Sequence, residues 1–104
     1  HIRFGGSSGL DLWHNGSHTN IRNNTGVLSI ENNSGSDLTI EAKSGENSIY
    51  CVPDGQVNLY YDHSKKLETQ STGVQVDGQL VTYRSGGNAH IVAERASGAR
   101  GHIH

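Results

Sequence analysis

Several residue types are almost missing from this sequence, which has one cysteine, one proline, one tryptophan and no methionine. A single cysteine cannot form a disulfide within the chain, so the sequence is not that of a small module held together by disulfides. Long apolar runs are missing too, since no stretch approaches the roughly 18 consecutive apolar residues of a transmembrane helix. We therefore expect no insertion into a membrane.

Strongly apolar residues are also scarce. Leucine, isoleucine, valine and phenylalanine make up 22 of 104 residues, whereas glycine, serine, asparagine and threonine make up 41. Such a chain is close to the limit at which burial of apolar surface no longer offsets the entropy lost on ordering. The formal net charge is only −2, so charge repulsion gives no reason for disorder. The composition predicts that something other than one ordinary compact core holds the chain in shape.

Positive charge is sparse as well, with 8 lysines and arginines and a sequence pI of about 6.4. The only adjacent basic pair is Lys65-Lys66. Nucleic acid is therefore not expected as a partner, because phosphate binding needs clustered cations. The chain begins with His1 and not with a basic, apolar leader, so we expect a fragment, a processed product or the ordered part of something longer.

Alternation of apolar and polar residues with a period of two predicts short β-strands. The predicted strands are residues 10–13, 27–30, 38–41, 49–52, 57–60, 74–76 and 80–83. Glycine-containing turn sequences separate them about every ten residues, as in all-β proteins. Residues 88–96 fit a short helix and a strand about equally well.

An internal repeat is visible when the chain is displaced by 47 residues. The shift places residues 10–17 on 57–64 and Thr25-Gly26-Val27 on Thr72-Gly73-Val74, with Ile21 and Leu67 one residue out of step. A hairpin of this kind has an apolar face only two or three residues deep, too thin for a core of its own. Three copies around a threefold axis would turn these faces inward and form a narrow continuous core.

The sequence therefore predicts an all-β fold of elongated, repetitive short strands and hairpins. We expect an intertwined homotrimer resembling a β-prism or β-helix. The predicted organisation is a first β-repeat module over residues 1–53, a second over 54–83, and a C-terminal β and turn segment over 84–104 that continues the same structure.

Two stretches resemble a known family. Residues 54–78, which contain the run Ser-Lys-Lys-Leu-Glu-Thr at 64–69, are similar to a module of the tail fibres of marine bacteriophages, notably those of cyanobacteria. Residues 10–17, followed by Ile21 and by Thr-Gly-Val-Leu at 25–28, resemble a companion module of the same fibres. Together they cover about half the chain. Trp13 departs from the tyrosine or phenylalanine more usual in such modules, and His63 departs from the usual asparagine.

The resemblance implies a non-enzymatic structural segment of a virion tail fibre that supports host attachment. It also implies a trimer, other virion tail proteins and a host surface glycan or receptor as partners, and an extracellular location in the assembled virion. The alternative is a carbohydrate-binding module that forms the receptor-recognition tip of the fibre. A glycan depolymerase of the virion is a third possibility.

The spacing of His102-Ile103-His104 predicts a metal site, because residues i and i+2 of a strand point to the same side. In a parallel trimer the pair would offer six imidazole nitrogens, a set suited to an octahedral transition metal such as iron or nickel. The pair resembles the His-x-His metal sites of long phage fibres. The alternative is two exposed histidines near a chain end, with Ile103 facing inward.

Catalysis finds little support in the sequence. A glycosidase needs two carboxylates flanking one bond, and the candidates are Asp11, Glu41, Asp62 and Glu68. Nothing in the sequence brings two of them together, so solvated strand and turn positions are expected. Five aromatic residues could stack on sugars or pack across strands; they are Trp13, Tyr50, Tyr60, Tyr61 and Tyr83. Cys51 is expected to be a small buried apolar residue.

Overall fold

The computed structural model describes residues 2–5 and 9–93, and in this part of the chain it contains strands and no helix. The all-β prediction is thus confirmed. The strands are β1 (Ile2–Phe4), β2 (Leu10–His14), β3 (Thr19–Asn23), β4 (Leu38–Lys43), β5 (Glu46–Cys51), β6 (Val57–Tyr61), β7 (Ser64–Gln70) and β8 (Gly73–Val76). The described residues include no helix of the length and apolarity needed to span a membrane.

The contacts divide the chain into two units, His1–Gly35 and Ser36–His104. Unit 1 contains an antiparallel sheet with the order β1-β2-β3. The turn between β2 and β3 is closed by Asn15, whose Oδ1 accepts hydrogen bonds from the backbone N–H groups of Ser17 and His18 at 3.0 and 2.8 Å. Side chains that hydrogen-bond the backbone two residues on are typical of asparagine in turns.

Unit 2 contains an open antiparallel sheet with the order β4-β5-β6-β7-β8, in which each strand pairs with the next along the chain. Short turns join the strands. The two-residue turn between β6 and β7 has positive φ at both positions, Asp62 at 45° and His63 at 71°. Positive φ at both central residues is what the favoured two-residue hairpin turn requires.

Both copies of the repeated sequence fold as hairpins, β2–β3 and β6–β7. Leu12 pairs with Ile21 in the first hairpin, and Leu59 pairs with Leu67 in the second. The one-residue offset has a structural cause. The second turn is two residues shorter than the first, and a β-bulge at Lys66 restores one of them, because Leu59 pairs with Leu67 while Tyr60 pairs with Lys65.

Two predicted strands are wrong, because residues 27–30 and 80–83 are irregular. Their apolar side chains fit a strand, yet no other strand of the described chain pairs with them, and a strand needs a partner for its backbone groups. Residues 88–93 are irregular as well, so neither the helix nor the strand proposed there forms in that part, and residues 94–96 lie outside the described residues.

Three strands were not expected from period-two alternation: β1, β3 and β7. Strands β3 and β7 each contain a single strongly apolar residue, Ile21 and Leu67. Short turns connect these strands to apolar partners, so tertiary pairing outweighs weak alternation. The predicted boundary between the first module (residues 1–53) and the second (54–83) lies in the turn between β5 and β6, two neighbouring strands of the five-stranded sheet.

Candidate interaction surface

An uninterrupted apolar row crosses all five strands of unit 2. The strand register places one residue from each strand side by side, in the order Ile40, Ile49, Leu59, Leu67 and Val76. Side chains two residues away on a strand share the same face. We use the term apolar face for this row together with the residues flanking it on that side, Leu38, Cys51, Val57, Thr69 and Val74.

The apolar face is open. No apolar side chain among the described residues is buried, and Leu59, on the central strand of the sheet, remains 39 % exposed. Ile40 on the edge strand is 52 % exposed. Complete burial of a leucine or isoleucine contributes about 1.5–3 kcal/mol relative to exposure. Much of the stabilisation that these residues can supply is therefore not realised within one chain.

Unit 1 shows the same arrangement on a smaller scale. The register aligns Ile2, Leu12 and Ile21 across its three strands, and Phe4 lies beside Leu10. Leu10 and Leu12 are half-buried, whereas Ile2, Phe4 and Ile21 are exposed. Each unit therefore presents one apolar sheet face that the described part of the chain does not cover.

The opposite face of unit 2 is polar. Its central row, aligned in the same way, consists of Thr39, Tyr50, Asn58, Glu68 and Gln75. Asn58 is only 6 % exposed; its Nδ2 donates to the Tyr60 hydroxyl at 3.4 Å, while its Oδ1 has no hydrogen-bond partner. Such buried unsatisfied polar atoms are rare in folded proteins.

Charged groups on this polar face are paired. Lys65 Nζ donates to Glu68 Oε2 at 2.6 Å, and this hydrogen bond, followed by one from Gln70, lowers the pKa of Glu68 below its ordinary value. The same hydrogen bond to Glu68 raises the pKa of Lys65. A hydrogen bond to Asp37, together with the charge of that carboxylate, raises the pKa of the Tyr50 phenol. The two faces of the sheet thus differ sharply in chemistry.

The polar face of unit 1 is built around Asp11, which is 4 % exposed. Arg22 Nη2 and Asn24 Nδ2 both lie 3.4 Å from Asp11 Oδ2. The guanidinium of Arg22 also stacks on the ring of Trp13, 4.6 Å from its centroid. This cluster compensates the buried carboxylate and orders the only tryptophan of the chain.

His102 and His104 lie outside the described residues, so a metal at these positions stays a prediction. The four carboxylates considered for catalysis have separate surroundings. Asp11 contacts Arg22, Glu68 contacts Lys65, and Glu41 accepts a hydrogen bond from the backbone N–H of Gly45 at 2.7 Å. Asp62 lies instead in the β6–β7 turn.

Cys51 is half-buried and lies on the apolar face between Leu38 and Val57. It is thus less buried than the sequence predicts, because nothing in the described chain packs against that face. Among the aromatic residues, Trp13, Tyr50 and Tyr60 are half-buried, whereas Tyr61 and Tyr83 are exposed. Trp13 and Tyr60, which are equivalent in the repeat, both contact polar neighbours of their own sheet face.

Two cavities lie along strand β7. One has a volume of about 490 Å³ and is lined by Asp54, Gly55, Gln56, Glu68, Thr69, Gln70 and Ser71. The other, of about 250 Å³, is lined by Lys65, Lys66, Leu67, Glu68, Gln75 and Asp77. Neither of these two cavities contains an aromatic ring on which a sugar could stack.

The repeat contains a signal that period-two alternation does not reveal. Asp11 and Asn58 occupy equivalent positions, 47 residues apart, and they are the two buried polar residues of the described chain. Period-two alternation alone assigns both to the solvent side.

A search of protein-family models finds no match to this chain, and neither does a search of curated proteins or of solved structures.

Proposed function

We propose that this chain is a non-enzymatic structural segment of a phage tail fibre, in which three copies pack their apolar faces together and support host attachment. The observation that carries the self-association is the open apolar face of the five-stranded sheet, with Leu59 at its centre. Three chains around one axis would bury these faces and supply the core that one chain lacks.

The composition of the apolar face favours further copies of the chain as its cover. None of its ten residues carries a charge, although 17 % of the sequence is Asp, Glu, Lys or Arg. Interfaces that form and separate repeatedly are about as polar as the rest of a protein surface, whereas permanent homomeric interfaces resemble a domain core cut in half. An uncharged sheet face therefore fits a permanent partner.

The role in a virion rests on the resemblance of residues 54–78 and 10–17 to modules of phage tail fibres. The mechanism of such a segment is mechanical. Repeated hairpins supply length, and burial shared between chains supplies stiffness. Polar faces and turns remain in water. The location is the tail of the assembled virion, and its partners are other tail proteins and, through them, a host surface glycan or receptor.

The first experiment measures native mass by light scattering coupled to size exclusion. We expect a single species of three times 11.2 kDa. A folded, monodisperse monomer at micromolar concentration contradicts the proposal. Leu59→Lys is expected to abolish the trimer, because it places a charge at the centre of the shared core.

A matched pair of variants on β8 controls for unfolding of the single chain. Val76 and Gln75 are neighbours on this edge strand but lie on opposite faces of the sheet. Val76→Lys is expected to weaken the trimer while circular dichroism retains its β signal, and Gln75→Lys is expected to leave the mass unchanged. Equal effects of the two variants would argue against the apolar face as the interface.

The virion role needs a separate test. Peptides of this chain are expected in purified tailed-virus particles by mass spectrometry, and antibodies against the chain are expected to label the tail in electron micrographs. Labelling of the capsid alone, or absence of the chain from the particles, contradicts this part of the proposal while leaving the trimer unaffected.

The alternative function is a carbohydrate-binding tip. Tyr50 and Tyr60 favour it, because they share the polar face with Asn58, Glu68 and Gln75, which offer hydrogen-bonding groups. A glycan array separates the two functions. A shaft segment is expected to bind no glycan, whereas specific binding that Tyr60→Ala abolishes would establish a receptor-recognition tip.

A further inference from the structure

Three metal-ligating side chains meet at one end of the five-stranded sheet. Glu46 is the first residue of β5, and Asp62 and His63 form the turn that follows β6. Because β5 and β6 are antiparallel neighbours, the start of β5 lies beside the end of β6. One carboxylate oxygen from each acid and one ring nitrogen of His63 all lie within 4.8 Å of one another. His63 Nε2 is 3.7 Å from Glu46 Oε2.

We propose that Glu46, Asp62 and His63 bind a divalent transition-metal ion of the zinc type. One imidazole nitrogen and two carboxylate oxygens are donors that zinc accepts at about 2.0–2.2 Å. Donors around one such ion are separated by roughly 3–4 Å, so the three side chains need only a small closure to reach it. The nitrogen donor distinguishes this cluster from a group of acids, which would favour magnesium or calcium.

The turn itself presents two of the donors. Asparagine, aspartate and glycine are the usual residues at the positive-φ positions of a two-residue hairpin turn, so Asp62 fits this turn, with φ of 45°. His63, with φ of 71°, stands where glycine is usual and adds an imidazole ligand. An ion bound here would tie the β6–β7 turn to the start of β5. Three protein ligands leave a coordination position for water or for a donor from another molecule.

Lys43 competes with the ion for the Glu46 carboxylate. Its Nζ lies 3.5 Å from Glu46 Oε2, the same oxygen that faces His63. An ammonium group at this distance repels a bound cation and competes for one of its ligands. Removal of this charge is therefore expected to tighten metal binding, an effect that a nonspecific surface site elsewhere would not show.

The site does not depend on the proposed function, since it uses neither the apolar face nor the three-chain assembly. Zinc titration by isothermal calorimetry tests it on the full chain carrying His102→Asn and His104→Asn, so that the predicted C-terminal pair is silent. We expect one ion per chain. His63→Asn and Asp62→Asn should each weaken binding at least as much as the roughly 10- to 100-fold loss typical of mutating an outer-shell partner.

The variants are chosen to preserve the turn, because asparagine tolerates positive φ. His18→Asn is the matched control, since His18 is an exposed histidine in the turn of the first hairpin. The zinc affinity of this variant should equal that of the parent chain. Lys43→Gln should bind zinc more tightly than the parent. No binding at millimolar zinc, or binding that His63→Asn and Asp62→Asn leave unchanged, overturns the proposal.

Discussion

The two hairpins of this chain, β2–β3 and β6–β7, have the same pattern of apolar residues but different charges around the one side chain that each buries. The buried residue is Asp11 in the first hairpin and Asn58 in the second. The residue directly across from Asp11 is Arg22, whereas the residue across from Asn58 is Glu68. The repeat fixes which position is buried, and the sign of the neighbour decides whether a charge can be buried there.

Electrostatics explain why the two positions differ. A buried carboxylate loses its hydration and persists only where a cation and hydrogen-bond donors replace it, as Arg22 and Asn24 do for Asp11. An acid at position 58 would lie opposite another acid. Like charges that are directly opposite on neighbouring strands destabilise a sheet. The neutral amide of Asn58 avoids this repulsion.

The largest effect is expected from exchanging the residue of one hairpin for that of the other. Asn58→Asp should lower the free energy of unfolding by about 3 kcal/mol at neutral pH, because it buries a carboxylate opposite Glu68, and the nearby cation, Lys65, already pairs with Glu68. Urea unfolding at one fixed chain concentration measures the change, since the proposed assembly would make stability depend on concentration.

The pH dependence of this variant provides its control. Burial and the nearby acid would raise the pKa of the introduced carboxyl in the folded state, so the native state would bind the extra proton more tightly. The deficit should therefore be absent below about pH 4 and grow as the pH rises. Gln75→Glu places an acid opposite the same Glu68 at an exposed position, and its effect should be small. Equal losses in both variants would show that burial at position 58 is unimportant.

The reciprocal exchange in the first hairpin should have a smaller effect. Asp11→Asn removes the charge that pairs with Arg22 but keeps an acceptor for Asn24, and Arg22, which is 55 % exposed, can be hydrated. We expect a loss of about 1–2 kcal/mol. Trp13 is the single tryptophan and stacks on Arg22, so its fluorescence follows unfolding of this hairpin. A larger loss than that of Asn58→Asp would contradict the comparison.

The repeat in the sequence was the most informative feature for the fold. Matching residues 10–17 with 57–64 anticipates two hairpins, and the one-residue offset between Ile21 and Leu67 is explained by a shorter turn and a bulge at Lys66. Bulges of this kind leave no reliable mark in the sequence. Strands β3 and β7 escaped prediction because their residues are mostly polar, and turn geometry, not alternation, places them.

The errors at residues 27–30 and 80–83 have the opposite cause. Both segments have an apolar pattern suited to a strand, but pattern indicates only which residues could pair and not whether a partner strand is within reach. The cluster of Glu46, Asp62 and His63 shows the same limit, because only the adjacency of β5 and β6 brings these residues together. Long-range pairing therefore determines both the missing strands and the candidate metal site.

The smallest effect is expected at the Lys65–Glu68 ion pair of the second hairpin, which lacks a buried member, in contrast to the pair of the first hairpin, in which Asp11 is buried. Lys65→Met removes the hydrogen bond that lowers the pKa of Glu68. A carboxyl group whose pKa is lower in the folded state than in the unfolded state stabilises the fold at pH values above its unfolded pKa, which is close to 4.5. This contribution disappears as the pH falls through the pKa of the folded state. The variant should therefore be slightly less stable than the parent at neutral pH, by less than Asp11→Asn, and equally stable in acid.

Lys66→Met, at the neighbouring bulge, is the matched control. If Lys66→Met reproduces both the loss and its pH dependence, general charge and not the Lys65–Glu68 hydrogen bond is responsible.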